Sequence, residues 1–345
     1  MTNIPGLPPQ QLCGIPVLRA DRVEWPRIGR LFFLYLKKVK VTVDLSIIFA
    51  TYHSEEILQK SLESYCEIES NYQWELIIVD NANREETREI ISLFKDKLPI
   101  NFIEQSEPGK NNALNKAIPH AKGDLIWFTD NDILPNKNLI DQYVNHARNE
   151  LDINIFGGKI SPDRLLPKWI DVSSPTIRAA LGVLDMGEEN KIIDADAFWG
   201  GNMLIRKNIF DQGVRFASKE LLVVNNHITG SETELLTRLH KSGHSAMYLK
   251  EPEVLHQIRD EQLKVTWLVK RAYKAGGGYA YNNPVGAMTS FLGMPRYLFK
   301  VLAIDLIELL VKIFSCKKNK ICISLMKISN TFGRLKQFYQ DRNMN

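Results

Sequence analysis

Apolar runs and amphipathic stretches alternate along residues 43–129. VDLSIIFATY (residues 43–52) is an apolar run with polar ends, which predicts a buried strand. SEEILQKSLESYCEI follows, with Leu58, Leu62, Tyr65 and Cys66 at helical spacing and Ser54 at the N-cap position. WELIIVDN (74–81) reads as a second strand. NREETREIISLFKDKL reads as a second helix, burying Ile90, Ile91, Phe94 and Leu98. INFIEQ (100–105) is a third strand. Residues 110–121 form a third helix through Ala113, Leu114, Ala117 and Ile118, and DLIWFTDND closes a fourth strand. This alternation predicts right-handed crossovers and a mostly parallel α/β sheet flanked by helices. In such sheets ligands sit beyond the carboxyl ends of the strands. Three polar clusters converge there: Thr51-Tyr52, Asp80-Asn81, and the acidic turn of FTDNDILP (128–135).

Outside this block the pattern is looser. Residues 1–42 are an extension, Pro/Gly-rich at first and then basic and apolar in RLFFLYLKKVK. Residues 161–195 read as an irregular insertion. QLKVTWLVKRAYKA (262–275) reads as a basic helix that stops or hinges at Gly276, Gly277 and Gly278. Residues 296–315 read as another helix, with Leu298, Leu302, Ile304, Leu309 and Ile313 separated by charges. The expected division is a 1–42 extension, a 43–260 central domain and a 261–345 helical region.

Charge sharpens this picture. The net charge is +4, but residues 1–40 carry +5 and residues 291–345 carry +7, so the body between them is acidic. A basic patch on the folded core, expected of a nucleic-acid binder, is not what this distribution describes. Basic ends on an acidic body suit contact with an anionic surface such as a membrane. The 297–314 stretch contains Lys300, Asp305, Glu308 and Lys312, which are costly at mid-bilayer, so it does not read as a transmembrane helix. The opening MTNIPGLPPQQLCGIP has neither a basic start nor a continuous apolar core, so no secretory leader is expected. Cys13, Cys66, Cys316 and Cys322 lack zinc or redox spacing and read as reduced thiols. The expected location is the cytoplasm, with peripheral contact at the inner face of the membrane.

The candidate chemistry lies at the strand ends. No GxGxxG follows the first strand, where the chain reads FATYHSEE. EPGKNN contains Gly-Lys but lacks the earlier Gly and the Ser/Thr of a P-loop. Phosphate is therefore not cradled by a glycine-rich backbone. Asp130 and Asp132 offer oxygen ligands of the kind that magnesium and manganese prefer. An exposed Asx turn is the plainer alternative. His240 and His244 are four apart, but Gly243 interrupts the helix and no HExxH is present.

Five blocks in order resemble family 2 glycosyltransferases with the GT-A fold: LSIIFATYHSEEILQKSLES, IIVDNANREET, PGKNNALNKAIPHAKGDLIWFTDND, FWGGNMLIRKNIF and GSETELLTRLHKSGH. The third ends in a D-x-D motif, and together the blocks span about residues 43–260, which the resemblance makes a catalytic domain with a nucleotide-binding half (43–135) and an acceptor half (136–260). The resemblance implies a Rossmann-like sheet with a C-terminal helical extension. It also implies transfer of a sugar from a UDP- or GDP-linked donor to a hydroxyl on a glycan or lipid-linked acceptor, with inversion, in cell-surface polysaccharide or glycan biosynthesis.

Carried onto this chain, the resemblance makes Asp132 a ligand of Mn2+ or Mg2+ and His256 a second one. Asp130 contacts ribose or, through water, the metal. The backbone at Ala50 and Thr51, the Tyr52 ring and the Asp80 carboxylate hold the nucleoside, while Lys110 contacts base or phosphate. Asn81 stands where the family often has a second acid. Trp199, Gly200, Gly201 and Asn202 wall the donor sugar and acceptor. Ser231 and Glu232 stand at the family's Glu-Asp pair, which makes Glu232 the general base and Glu234 the fallback. Plainer readings stand beside these: a capped turn for Asp80, a solvated cation for Lys110, a packed ring for His256, a first-turn acid for Glu232. The altered pair also leaves room for a noncatalytic nucleotide- or carbohydrate-binding homologue. A nucleotidyltransferase would need a phosphate-binding loop that FATYHSEE lacks.

Overall fold

The computed structural model describes residues 42–107, 109–217, 231–283, 290–291, 293–315 and 317–342. The expectations placed on residues 1–41 lie outside them. Residues Thr42–Asn345 form one compact unit.

The predicted alternation is present. In order come β1 (Leu45–Thr51), α1 (Glu55–Tyr65), β2 (Trp74–Asp80), α2 (Glu85–Ser92), β3 (Ile100–Glu104), α3 (Lys110–Ala117) and β4 (Leu125–Thr129). β1, β2 and β4 are buried along nearly their whole length. That explains why they read as continuous apolar runs: helices cover both faces of a parallel sheet. β2 and β4 both run parallel to β1, and β3 runs parallel to β2. Thr51 pairs with Asp80, so the first two strands end together.

The second half adds β5 (Ile133–Pro135), α4 (Leu139–Asn149), β6 (Ile153–Pro162), α5 (Pro175–Leu181), β7 (Lys191–Ile193), β8 (Asn202–Arg206), α6 (Lys207–Asp211), α7 (Ser231–Lys241) and β9 (Ser245–His256). The described strands order as β3-β2-β1-β4-β8-β6-β9-β5, with β7 on β9. Here β8 is antiparallel to β4, and β5 is antiparallel to β9, while β6 and β9 are parallel. The core gathers Phe49, Trp127, Phe128, Tyr143, Phe156 and Phe210, all essentially without solvent contact. Burying one such side chain contributes about 1.5–3 kcal/mol.

Residues 161–195, expected to be irregular, contain α5 and β7. The helix signals were local: Pro175 at its first turn, and Gly182 past its end in the left-handed conformation (φ +66°).

The C-terminal region consists of α8 (Val265–Asn282), the short strand pair β10 (Ser290–Phe291) and β11 (Met294–Pro295), α9 (Arg296–Phe314) and α10 (Lys318–Arg342). The expected stop at Gly276–Gly278 does not occur, and α8 continues through the glycines. They serve packing instead. A Cβ on Gly276 would lie 2.0 Å from the Asn330 carbonyl oxygen, and one on Gly333 would lie 2.1 Å from that of Tyr273. The α8 and α10 backbones therefore touch, and Ser329 and Asn330 donate to the Val269 and Ala272 carbonyls across the seam.

Candidate active site

The acidic turn is fixed by its middle residue. The Asn131 side chain donates to the Ser54 hydroxyl and to Thr51 Oγ1 (3.3 Å). Ser61 donates to the Asn131 carbonyl at 2.7 Å, and the Asp132 carbonyl accepts from the Gln257 N–H at 2.9 Å. With Asn131 tied down toward β1, the acids on either side point elsewhere. Asp130 faces Lys110, with Nζ 2.5 Å from Oδ1. Asp132 faces His256, with Oδ2 3.2 Å from Nε2.

Sheet register brings these partners together. β5 follows directly from the acidic turn, and its Ile133 pairs with His256 at the end of β9. Asp132 therefore meets a histidine 124 residues away. On the other side Thr129 pairs with Asn202, and its hydroxyl donates to the Gly201 carbonyl at 2.8 Å. That sets the Trp199-Gly200-Gly201 turn beside Asp130.

Glu232 comes from the first turn of α7 and rests on Gly200. A Cβ there would lie 2.6 Å from Glu232 Oε1 and 2.8 Å from its Cδ, so a side chain at residue 200 would displace the carboxylate. The Lys110 ammonium also donates to Glu232 Oε1, bridging Asp130 and Glu232. These residues line a cavity of about 1200 Å³.

The charges perturb one another. Burial would lower the Lys110 pKa, but the two carboxylates beside it outweigh that and raise it, so the ammonium persists. Burial raises the Asp130 pKa, and the charges of Asp132 and Glu232 add to that against the opposing Lys110. Burial works the same way on Asp132, but the hydrogen bond and charge of His256 prevail and lower it. For His256, burial is outweighed by Asp132 and by the Leu181 carbonyl, and its pKa rises.

The Asp132–His256 pair suits a divalent cation. His256 Nδ1 lies 2.8 Å from the Leu181 carbonyl, to which it donates, so the neutral ring turns the Nε2 lone pair toward a carboxylate. Two acceptors then face each other, an arrangement that requires a second proton or a metal ion between them. Among the described residues no group of three or more His, Cys, Asp or Glu side chains is arranged to hold a metal ion. A two-residue set is what magnesium-type ions use when substrate phosphates complete the shell.

The nucleoside residues stand at the ends of β1 and β2. Thr51 is buried, and the Tyr52 ring is exposed, edge-on to His53 with centroids 4.3 Å apart. Asp80 is fully buried and caps its turn, accepting from the Ala82 and Arg84 N–H groups, both at 2.9 Å. It follows the plainer reading, with one further lone pair on each oxygen. The Asn81 amide, oriented to satisfy both ends, bonds the Glu107 carbonyl and the Gly109 N–H at 2.9 Å each, holding the loop before Lys110. His53 (φ 47°) and Asn83 (φ 54°) are the described non-glycine residues with positive φ, and they sit in these two turns. Such backbone strain clusters at ligand-clamping sites.

Asn202 requires correction. It was expected to wall the sugar site, but it is fully buried behind it. Its Oδ1 accepts from Trp127 Nε1 (3.0 Å) and Tyr143 OH (2.6 Å), and its Nδ2 donates to the Lys159 and Pro252 carbonyls (3.0 and 2.7 Å). It is a core crosslink among β4, β8, β6 and β9. Trp199, Gly200 and Gly201 do line the cavity. Glu234, the fallback base, is paired with Arg238 at 3.0 Å.

Sequence reasoning missed the far wall. Trp267, Arg271 and Tyr279 of α8, together with Arg259, line the same cavity. Residues 267, 271, 275 and 279 recur every four, the spacing of one helix face. That signal was visible, but nothing local said which way the face turned.

Residues 46–214 match the family model described as "Glycosyl transferase family 2". Over that segment, just under half of its length, the chain is similar to family 2 glycosyltransferases. Over 113 residues, about a third of the chain, it is 30% identical to an uncharacterized glycosyltransferase of Bacillus subtilis strain 168. Over 117 residues it is 31% identical to a hyaluronan synthase of Pasteurella multocida. The matched segments span only 29% and 12% of those relatives' lengths. The GT-A fold is shared with a mannosyltransferase from Pyrobaculum calidifontis, solved in complex with GDP-Man and Mn2+. The TM-score is 0.50 at 15% identity, covering 90% of this chain and 79% of that one. The matched segment includes the acidic turn and the Trp199-Gly200-Gly201 turn, while Glu232 and His256 lie beyond it.

Proposed function

We propose that the protein is a metal-dependent, inverting glycosyltransferase. It takes a sugar from a UDP- or GDP-linked donor and places it on a hydroxyl of a glycan or lipid-linked acceptor, in assembly of a cell-surface polysaccharide and at the periphery of a membrane. The observation that carries this reading is the convergence of Asp130, Asp132, Glu232 and Lys110 on one cavity, with Gly200 leaving room for the Glu232 carboxylate. The relatives named above support the polysaccharide setting.

The β1 and β2 turns hold the nucleoside, with Tyr52 offering a ring to stack on and Asp80 remaining lone pairs for base N–H groups. Asp132 and His256 would hold Mn2+ or Mg2+, and Asp130 would contact ribose or, through water, the metal. The cation, when bound, supplies Lewis-acid charge for a leaving diphosphate. Lys110 adds a point charge on the same side. Trp199 and the α8 aromatics enclose the sugar and acceptor. Glu232 takes the proton of the acceptor hydroxyl as its oxygen bonds to the anomeric carbon. The bond from that carbon to the diphosphate oxygen breaks, and the nucleoside diphosphate leaves with the electron pair.

The test is thermal stabilisation by UDP and GDP, with and without Mn2+ or Mg2+, since a ligand that binds the folded state raises the melting temperature. Stabilisation that requires metal and is lost in Asp132→Ala is expected. Glu232→Gln should keep that shift and lose sugar transfer. Absence of any nucleotide shift would overturn the donor site, and unchanged transfer in Glu232→Gln would overturn the base.

A further inference from the structure

Beyond its first turns, where Leu298 is buried, α9 is turned inside out. Its inward side, against α10, carries the acids: Asp305 is 8% exposed, and Glu308 accepts from Lys312 and from Lys327 of α10 (3.1 Å). Its outward side is apolar. Ile304, Leu306, Ile307, Leu310, Val311 and Phe314 are each 45–88% exposed. A helix of a water-soluble surface shows the opposite arrangement. A continuous apolar face of this kind marks an interaction site.

Charge selects the occupant. Both α9 acids are turned inward, so the outward face offers no carboxylate. Exposed cations stand at its two ends, Arg296 and Lys300 at the start, Lys317 and Lys320 beyond the finish. A second copy seated on this face through a two-fold axis would bring cationic ends against cationic ends. An anionic lipid leaflet meets both features, with acyl chains for the apolar face and phosphates for the cations. Among the described residues no helix is long and apolar enough to cross a membrane, so α9 would lie along the surface rather than span it.

We propose that α9 is an interfacial membrane-binding helix whose outward face enters the headgroup–acyl boundary of an anionic leaflet. This deepens the peripheral membrane contact proposed above by naming its surface. α9 packs on α10, α10 on α8, and α8 lines the cavity. The helices thereby hold the acceptor side of the cavity beside the lipid, where a membrane-borne acceptor would be presented.

The experiment is vesicle flotation of the full chain with phosphatidylcholine/phosphatidylglycerol vesicles and with phosphatidylcholine alone. Binding to the anionic vesicles, weakened by salt, is expected. Ile307→Gln combined with Leu310→Gln, both exposed and so harmless to folding, should reduce binding about tenfold or more. Lys317→Glu with Lys320→Glu should remove the preference for anionic lipid. Failure of the wild type to bind, or undiminished binding in the apolar double variant, overturns the proposal. So does a lipid-free dimer that the same variant dissociates, which would make the face a subunit contact. A monomer that ignores vesicles until residues 1–41 are removed overturns it too, with that segment as the cover. The nucleotide thermal shift, measured on the same variants, reports the donor site separately, so loss of one reading leaves the other intact.

Discussion

Gly200→Ala isolates the geometry of the candidate base. Gly200 has no positive φ, so alanine brings no backbone strain there. Its Cβ would instead lie 2.6–2.8 Å from three atoms of the Glu232 side chain. Carbon needs about 3.5 Å or more from such neighbours, so the carboxylate must retreat by well over half an ångström. Glu232 is flexible enough to do so at small cost in stability, but Lys110 tethers it and the retreat carries it off line. Misplacing a reacting group by about 1 Å can cost about 100-fold in rate. A loss of about 10- to 100-fold in kcat is therefore expected, equivalent to about 1.4–2.7 kcal/mol of barrier. The metal-dependent nucleotide shift should be unchanged. Gly201→Ala is the internal control: its Cβ would meet Ile133, Ile160 and Asp130 at 3.4–3.6 Å, ordinary contact distances. The assay is release of nucleoside diphosphate at saturating donor and acceptor, with the donor chosen from the thermal panel. Wild-type kcat in Gly200→Ala, or equal loss in Gly201→Ala, would refute the placement of Glu232 as base.

Three further expectations follow from other parts of the molecule. His256→Ala should lower the metal-free melting temperature, because Asp132 and the Leu181 carbonyl lose a buried partner, and should raise the Mn2+ concentration needed for half-maximal nucleotide stabilisation; an unchanged metal requirement would remove His256 from the ligand set. Gly276→Ala should lower the melting temperature despite alanine's better helix propensity, because overpacking costs about 1–3 kcal/mol and the obstacle is the α10 backbone; a rise in melting temperature would contradict the close α8–α10 contact. Asp141 accepts from Ser70 Oγ, the Asn71 N–H and Asn71 Nδ2, and these bonds, outweighing partial burial, hold its pKa below the ordinary value. The folded state thus favours the carboxylate. Asp141→Ala should cost about 1–2 kcal/mol at neutral pH, and the difference should fade as pH falls below about 4, towards the lowered folded pKa. A difference that persists at pH 2–3 would show that the charge is not what matters.

The sequence alone determined the class of the fold and the order of its first half. A strand buried on both faces and a helix with one apolar stripe leave different periods in the chain, and those periods are local. It also marked the acidic turn, because two carboxylates directly after LIWF could not be core. Tertiary structure decided what those groups face. Asp132 meets His256 only because β5 lies antiparallel to β9, and sheet register between strands 120 residues apart has no local signature. Asn202 reads like its glycine neighbours in sequence, yet β8 turns it into the core. Gly276 looks like a helix stop, and only the approach of α10 makes it a packing contact. In α9 the spacing announces an amphipathic helix. Which face turns inward depends on what lies beside it, and here Lys327 of α10 draws the acids in and leaves Ile304, Leu306, Ile307 and Leu310 outside.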